Sequence, residues 1–423
     1  MAVKKWTASV LALLIMCTAA FPAWAAGGPE EAQATAANAE QAKQGEGQDK
    51  DKAKTMDGLD ETISLIALPQ AQLQLPCKAA LLMCAETGDV LYNDNGDTQL
   101  PIASITKVMT LLLTMEAVEN GKASLSDIVP VSEHAYGMGG SQIWLEPGEQ
   151  ITLDEMLKAI CVSSANDAAV AVAEYIGGSE PGFVDMMNRR AQELGMENTH
   201  FMNACGLDTA DHYSTAHDVA IMSRALLRHP LILEYSGIWQ DSLRGGATQL
   251  TNTNKLLKRY QGITGLKTGT TGGAGVCISA TATRDNMTLI GVVLGSSSSE
   301  DRFAAATSLL DYGFANCEVI DLPDTGPLEP VAVTGGAAET VAPVCSIPLR
   351  ALVEKGSGKD LVFETTLPET VGAPVAAGQQ LGEIVLKRGE EKVAVFPITA
   401  QEEVKKMDFG LSMSLLLRAL FQL

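Results

Sequence analysis

The cysteines and histidines of this sequence lack the spacing that binds metal ions. The chain has 8 cysteines and 5 histidines. No two cysteines form a C-x-x-C pair, and no histidines and cysteines stand at zinc-ligand spacing. We therefore expect no metal site, and we expect no cofactor.

Positive charge is scarce. The chain has 30 Lys and Arg against 51 Asp and Glu, a formal net charge of −21. A protein that binds a polyanion needs a basic face. The composition therefore excludes nucleic acid as a partner; acidity of this size favours solubility and identifies no substrate.

The apolar stretch at the amino end is short for a membrane span. Lys4 and Lys5 precede apolar residues 10–20, and the small-residue pattern Ala23-Trp24-Ala25 follows. This order predicts a secretory signal peptide over residues 1–25, cleaved after Ala25. A retained membrane anchor is the alternative, and the shortness of the stretch disfavours it.

Residues 26–60 contain almost no large apolar side chains, so we expect a disordered linker there. Loss of the signal peptide would leave seven cysteines, an odd number. At least one thiol would then stay free in an exported protein, although one or two disulfides remain possible.

Three short motifs stand in order along the chain: Ser104-Ile105-Thr106-Lys107, Ser164-Ala165-Asn166 and Lys267-Thr268-Gly269. Together they can supply a serine acyl-transfer site without a catalytic histidine. A serine hydroxyl needs a base, and Lys107 shares a helix face with Ser104. The apolar residues 108–118 predict a buried helix, which would desolvate Lys107 and lower its pKa.

Longer stretches surround and extend these motifs: residues 101–110, 164–169, 212–216, 265–269 and 309–314. In these stretches the sequence resembles the penicillin-binding serine D-alanyl-D-alanine carboxypeptidases of the low-molecular-mass type, over roughly residues 65–400. The resemblance implies an α/β (α+β) fold: a penicillin-recognising, β-lactamase/transpeptidase-like domain with a helical cluster, followed by a small all-β domain.

The resemblance implies catalytic roles for four residues of the first two motifs: Ser104, Lys107, Ser164 and Asn166. Ser104 should attack the carbonyl of the penultimate D-alanine and form an acyl-enzyme that water then hydrolyses. Lys107 should act as the base in acylation. We expect Ser164 and Asn166 on a loop between helices, with Ser164 relaying a proton to the leaving amine and Asn166 orienting Lys107 and the substrate backbone.

The third motif should bind substrate. We expect Lys267 and Thr268 to bind the terminal carboxylate, and Gly269 to let the backbone approach closely. By resemblance, the backbone N–H groups of Ser104 and Thr270 form the oxyanion hole.

Arg302 stands where related carboxypeptidases place an arginine that assists carboxylate recognition. An ordinary surface arginine at the start of a helix is the alternative.

Two further positions near the motifs have separate interpretations. Relatives often show Pro followed by His or Thr where Ala204 and Cys205 stand, which puts the shape of that loop in doubt. We interpret His212 as structural.

Hydrophobic patterning predicts one sheet built from both ends of the catalytic domain. We expect a hairpin from residues 79–83 and 89–92, strands over 262–269, 276–283 and 287–294, and helices over 156–175, 184–194 and 302–312. The predicted domains are a catalytic domain at 61–321 and a β-domain at 322–402, where residues 387–390 look like a hairpin turn.

Residues 403–423 form the last predicted segment. Within this segment residues 409–423 are strongly apolar, with Ser414, Arg418 and Gln422 at a spacing that makes a narrow polar stripe on a helix. Lys405 and Lys406 precede this stretch, so we predict an amphipathic helix that anchors the protein on an anionic membrane surface. Packing on the β-domain is the alternative.

The predicted function is removal of the terminal D-alanine from peptidoglycan pentapeptide stems, with β-lactams as inhibitors. We expect the protein outside the cytoplasmic membrane of a bacterium, attached to that membrane. One alternative is a D,D-endopeptidase of peptidoglycan cross-links. Another is a hydrolase like the class A β-lactamases, which needs a glutamate usually found in E-x-x-L-N, a motif absent between Asn166 and Lys267. A third is a catalytically idle wall-binding protein.

Overall fold

The computed structural model describes residues 61–68 and 71–421, apart from the side chains at positions 415, 418, 419 and 421. The predicted signal peptide (1–25) and linker (26–60) lie outside the described residues. The expected fold class, an α/β catalytic domain followed by a sheet-rich region, is confirmed.

A five-stranded antiparallel sheet forms the centre of the catalytic region. Its strands lie in the order Val90–Asp94, Ala79–Cys84, Met287–Ser296, Gly275–Arg284 and Ile263–Thr271. Leu81 pairs with Val292, and Lys267 pairs with Ser279. The prediction that strands from both ends of the domain build one sheet is therefore confirmed.

Both faces of this sheet are buried. Every residue of the strand Ala79–Cys84 is inaccessible, because successive side chains enter different cores. Leu81 and Met83 pack with the helical cluster, whereas Leu82 and Cys84 pack in the core beneath the helix Ser299–Asn316. A strand covered on both sides reads as a continuous apolar run.

The helical cluster covers one face of the sheet. Its helices are Lys107–Glu119, Glu133–Tyr136, Leu153–Lys158, Asn166–Gly177, Glu180–Glu193, Ala216–Leu227 and Ile232–Ser236. Three short 3-10 turns, Ala103–Thr106, Arg244–Gly246 and Lys255–Lys258, accompany them. Two small hairpin-like pairs join Ile128–Val129 to Ile151–Thr152 and Gln240–Leu243 to Thr248–Thr251.

The helical periodicity over residues 156–175 covers two helices rather than one, with the expected break at Ser164. The first helix ends at Lys158, the π-helical turn Ala159–Ser163 follows, and the next helix starts at Asn166. Ser164 breaks the helix because its backbone is left-handed, with φ at 63°. The apolar periodicity continues through this break, so periodicity alone could not reveal it.

The carboxyl-terminal region is built from three sheets. One contains Val331–Thr334, Thr340–Val341 and Thr370–Gly372; another contains Pro343–Val344, Glu391–Ala400, Gln380–Arg388 and Leu361–Thr366, with the 3-10 turn Ser357–Asp360 nearby. The hairpin turn predicted at 387–390 is confirmed, since Arg388 pairs with Glu391 and Gly389 takes a φ of 59°.

The third sheet crosses the predicted boundary at 321/322. Its middle strand, Arg350–Glu354, pairs in parallel with Thr62–Ser64 and antiparallel with Cys317–Asp321. A strand from the predicted β-domain is thus hydrogen-bonded to both ends of the predicted catalytic segment.

The helix Phe409–Phe421 ends the described chain. Its exposed apolar side chains include Phe409, Met413, Leu416, Leu417 and Leu420. Within the part of the chain that the structure describes, no helix is both long and apolar enough to cross a membrane.

Candidate active site

The nucleophile candidate lies on a strained turn. Ser104 is half-buried in the 3-10 turn Ala103–Thr106, just before the buried helix Lys107–Glu119. Ala103 has a positive φ of 51°. Gly206 packs directly on this turn, where a Cβ would lie 1.9 Å from the carbonyl oxygen of Ala103. The turn therefore depends on the close approach of a second backbone segment.

Lys107 connects Ser104 to two other segments. Its Nζ lies 2.9 Å from Ser104 Oγ, 2.6 Å from Asn166 Oδ1 and 2.7 Å from the backbone oxygen of Cys205. The side chain is fully buried. Burial lowers the pKa of Lys107 to about 8, because removal of water disfavours the ammonium form.

These three partners suit a neutral amine. The amide oxygen of Asn166 and the carbonyl of Cys205 can only accept hydrogen bonds, whereas the Ser104 hydroxyl can also donate. A neutral Lys107 can donate its two N–H groups to the two acceptors. Its lone pair is then directed at the hydroxyl proton of Ser104.

Asn166 is held by a neighbouring loop. Its backbone N–H donates to Ser141 O at 2.7 Å, and its side-chain Nδ2 donates to Gly139 O at 2.7 Å. A Cβ at Gly140 would lie 2.8 Å from Nδ2. A glycine is needed there so that the loop can approach Asn166 and fix the orientation of its amide.

Ser164 faces the second lysine. Lys267 Nζ donates to Ser164 Oγ and to the backbone oxygen of Thr268, both at 2.8 Å. Lys267 is fully buried, and its pKa lies well below the ordinary value because of burial and the nearby charge of Lys107. The left-handed backbone of Ser164 accompanies this contact.

The strand Ile263–Thr271 lies close against the nucleophile turn. A Cβ at Gly269 would be 2.9 Å from the backbone nitrogen of Ser104, so the glycine permits this approach. Thr268 Oγ1 lies 2.6 Å from Thr253 Oγ1, and Thr270 is exposed at the strand edge.

Arg302 supports this strand and its neighbour. Its Nη1 donates to the carbonyl oxygens of Gly269 at 3.4 Å and Cys277 at 3.2 Å, and its Nη2 donates to Ser299 Oγ at 3.0 Å. Arg302 is buried, so it is not the ordinary surface arginine of the alternative interpretation. Burial lowers its pKa to about 10.

The three basic side chains of the site share one property. Among the described contacts, the hydrogen-bond partners of Lys107, Lys267 and Arg302 are all neutral oxygens. Within these contacts, no carboxylate of the protein neutralises Lys267 or Arg302.

His212 contacts the turn that carries Ser104, through the side chain of Thr106. The backbone N–H of Met202 donates to His212 Nδ1 at 3.1 Å, so the proton must be on Nε2. Nε2 then donates to Thr106 Oγ1 at 2.8 Å, and Thr106 donates to Ala103 O at 2.9 Å. Burial lowers the pKa of His212 to about 4, which keeps the ring neutral near pH 7.

Cys205 contributes through its backbone. Its carbonyl oxygen accepts from Lys107, while its thiol is buried and burial raises the pKa of that thiol. The loop of Cys205 therefore contacts Lys107 through a backbone atom, which any residue type at position 205 could supply. All seven cysteines in the described ranges are free thiols, and no group of His, Cys, Asp and Glu there could hold a metal ion.

Comparison with known proteins gives the family. The family model described as D-alanyl-D-alanine carboxypeptidase matches residues 67–298, and that of the penicillin-binding protein 5 C-terminal domain matches residues 325–406. D-alanyl-D-alanine carboxypeptidase DacF of Bacillus subtilis is 44% identical over 344 residues, 80% of this chain and 88% of that protein.

Two solved structures agree with this match. Penicillin binding protein 5 from Haemophilus influenzae aligns with a TM-score of 0.69 and 29% identity, over 80% of this chain and 100% of that chain. Penicillin-binding protein D2 from Listeria monocytogenes, in its cefotaxime-bound form, aligns at 0.54 with 33% identity, over 58% of this chain and 100% of that chain.

The catalytic region is thus that of a serine peptidase of the penicillin-binding type. The chain belongs to the D-alanyl-D-alanine carboxypeptidase family of low-molecular-mass penicillin-binding proteins.

Proposed function

We propose that this protein removes the terminal D-alanine from peptidoglycan pentapeptide stems through an acyl-enzyme on Ser104. The observation that carries the proposal is the position of Lys107, a buried lysine whose Nζ is 2.9 Å from the hydroxyl and whose other partners are pure acceptors. Membership in the D-alanyl-D-alanine carboxypeptidase family supports the substrate class.

Acylation begins with neutral Lys107. Its lone pair takes the Ser104 proton as Oγ attacks the carbonyl carbon of the penultimate D-alanine. The resulting ammonium then donates three hydrogen bonds, two of them to the oxygens of Asn166 and Cys205 that are already in place. Because these acceptors need not move, the charged lysine is stabilised as it forms.

The leaving amine needs a proton. Ser164 Oγ accepts from Lys267, so its own O–H is free to point into the cleft as a donor. We assign to Ser164 the transfer of a proton to the nitrogen of the departing D-alanine. Lys267, when protonated, replaces that proton or stabilises the developing serine oxyanion.

We assign substrate binding mainly to the strand Ile263–Thr271. The backbone N–H groups of Ser104 and Thr270 are assigned to the oxyanion hole, and the close packing of Gly269 on Ser104 supports that assignment. Lys267, Thr268 and Arg302 are assigned to the terminal carboxylate. Their described partners carry no negative charge, which leaves them ready for an anion.

A β-lactam enters the same reaction. Its strained amide mimics the acyl-D-alanyl-D-alanine bond, while its leaving group stays tethered to the acyl-enzyme. Cefotaxime bound to the Listeria monocytogenes relative supports this part of the proposal.

The proposed location is the outer surface of the cytoplasmic membrane. The exposed apolar side chains of the helix Phe409–Phe421 support attachment to that surface, with Lys405 and Lys406 attracted to anionic lipid. A helix that lies in the plane of the membrane does not need the length of a membrane span.

The test is incubation with a monomeric muropeptide ending in D-Ala-D-Ala and with a cross-linked dimer, followed by mass analysis. Loss of one alanine from the monomer is the expected result. Cleavage of the dimer alone would make the protein an endopeptidase, and no cleavage of either would contradict the proposal.

A further inference from the structure

Trp144 has an unusual combination of backbone and exposure. Its φ is 59°, in the left-handed region that bulky residues rarely adopt, and 77% of its surface is exposed. An exposed indole gains little from burial, and a strained backbone costs stability. Such a conformation persists only where the surroundings fix it, and it is often functional.

A buried carboxylate fixes the backbone on both sides of Trp144. The side chain of Asp167 accepts the N–H of Ile143 at 3.0 Å and the N–H of Leu145 at 3.1 Å. Because both flanking amides converge on one carboxylate, the residue between them is directed away from it.

Arg244 fixes the same segment through its carbonyl groups. Its Nη1 donates to Ile143 O at 2.9 Å, and its Nη2 donates to Trp144 O at 3.3 Å. Glu149 in turn holds the guanidinium with two hydrogen bonds, at 2.5 and 3.0 Å. The indole is therefore presented to solvent by a rigid backbone rather than by a mobile loop.

This segment belongs to the loop that holds Asn166. Ser141, whose carbonyl accepts from Asn166, is three residues before Trp144, a chain distance of at most about 11 Å. Asp167 directly follows Asn166 in the chain. Asn166 contacts Lys107, which contacts Ser104, so the segment that carries Trp144 is linked to Ser104 through two side chains.

The chemistry of a carboxypeptidase limits what can reach Trp144. Only one residue lies beyond the scissile bond, and that residue ends at the carboxylate site. Any further substrate contact, several residue lengths from Ser104, must involve the stem on the amino side of the bond.

We infer that Trp144 is a binding platform for the amino-side part of the stem peptide, beyond the penultimate D-alanine. The inference rests on the proposed function. An aromatic face contacts methyl and methylene groups with little loss of conformational freedom, and a rigid backbone keeps that cost low. Trp144 thereby makes the protein prefer long stems to short D-Ala-D-Ala peptides.

The experiment compares two substrates with the full chain. One is N-acetyl-D-Ala-D-Ala, and the other is the pentapeptide L-Ala-γ-D-Glu-L-Lys-D-Ala-D-Ala. For Trp144→Ala we expect the ratio of kcat/KM on the long peptide to that on the short one to fall about fivefold or more, mainly through KM. Trp144→Phe keeps an aromatic face and should retain most of the ratio, and Leu349→Ala, which removes another exposed apolar side chain, should leave the ratio unchanged.

Tryptophan fluorescence gives a second readout. The inactive Ser104→Ala variant should change its emission when titrated with the pentapeptide, and a further Trp144→Phe change should abolish that response. An unaltered ratio in Trp144→Ala would overturn the inference, as would equal losses on both peptides and on penicillin acylation, which would mean that the loop merely lost its hold on Asn166. If the wild-type protein released no D-alanine from either peptide, that result would instead contradict the proposed function.

Discussion

The Nζ atom of Lys107 and the backbone oxygen of Cys205 are 2.7 Å apart, and this contact joins two segments almost a hundred residues distant in the chain. With Asn166 it provides the two fixed acceptors that leave the third direction of the amine for Ser104. The geometry of the proposed base is thus set from outside its own helix.

Acylation should depend on the protonation of Lys107. Burial lowers the pKa of Lys107 to about 8, so roughly 10% of the enzyme carries a neutral base at pH 7 and roughly 1% at pH 6. The second-order rate of penicillin acylation should therefore rise about tenfold per pH unit below 8 and level off above it. Stopped-flow measurement from pH 6 to 9.5 checks this, and a flat profile would contradict the assignment. Lys107→Arg, which cannot lose its proton, should abolish acylation.

Loss of His212 should loosen the nucleophile turn. His212→Ala leaves Thr106 and the Met202 N–H without their partner, so we expect the free energy of unfolding to fall by about 1–3 kcal/mol and acylation to slow. His217→Ala is a matched control, because the ring of His217 contacts Asp97 and not the turn that carries Ser104.

His212 also predicts a pH dependence of stability. Its pKa is about 4 in the folded protein and near 6.5 when unfolded, so the unfolded chain binds the extra proton. Its contribution should be complete above pH 6.5 and be lost as the pH falls towards 4. Denaturant titrations of wild type and His212→Gln should show a shallower acid loss in the variant. Parallel curves would assign the acid sensitivity to other groups.

Arg302 should matter more for peptide than for penicillin. A charge-assisted contact to the terminal carboxylate is worth about 1.5–3 kcal/mol, or roughly one to two decades in kcat/KM. The strained ring of penicillin supplies its own reactivity, so its acylation should suffer less in Arg302→Ala. Equal losses on both ligands would mean that Arg302 has only a structural role, through its contacts with the carbonyls of Gly269 and Cys277.

The terminal helix should hold the protein on anionic membranes. Deletion of residues 409–423 should leave activity on a soluble peptide intact and move the protein from phosphatidylglycerol vesicles to the soluble fraction in a flotation assay. Leu416→Ser with Leu420→Ser should act in the same direction, since both side chains are exposed, whereas Ser412→Ala should not. An unchanged distribution after the deletion would exclude the anchor.

The sequence motifs indicated which side chains lie together in the candidate site, but not the contacts that hold them in place. The three motifs brought together Ser104, Lys107, Ser164, Asn166 and Lys267, and the central sheet followed from its apolar strands. The supporting partners are backbone atoms of remote loops, such as the carbonyls of Cys205 and Gly139. Backbone atoms carry no sequence signature, so no motif could identify them.

Two other features depend on tertiary context. The break at Ser164 occurs within a helical apolar pattern. The left-handed backbone of Ser164 accompanies its contact with Lys267, which comes from a distant strand. The pairing of Thr62–Ser64 with Arg350–Glu354 joins opposite ends of the chain, where local composition gives no information about partners. The exposure of Trp144 also depends on tertiary context, so the sequence alone did not indicate it.

The most direct test of the account is the site of acylation. Wild-type protein incubated with labelled penicillin should gain one adduct by intact mass, and peptide mapping should place that adduct on Ser104. Ser357→Ala, a matched change of a serine in the carboxyl-terminal region, should label like wild type, whereas Ser104→Ala should remain unlabelled. An adduct of ordinary stoichiometry on Ser104→Ala would contradict the account.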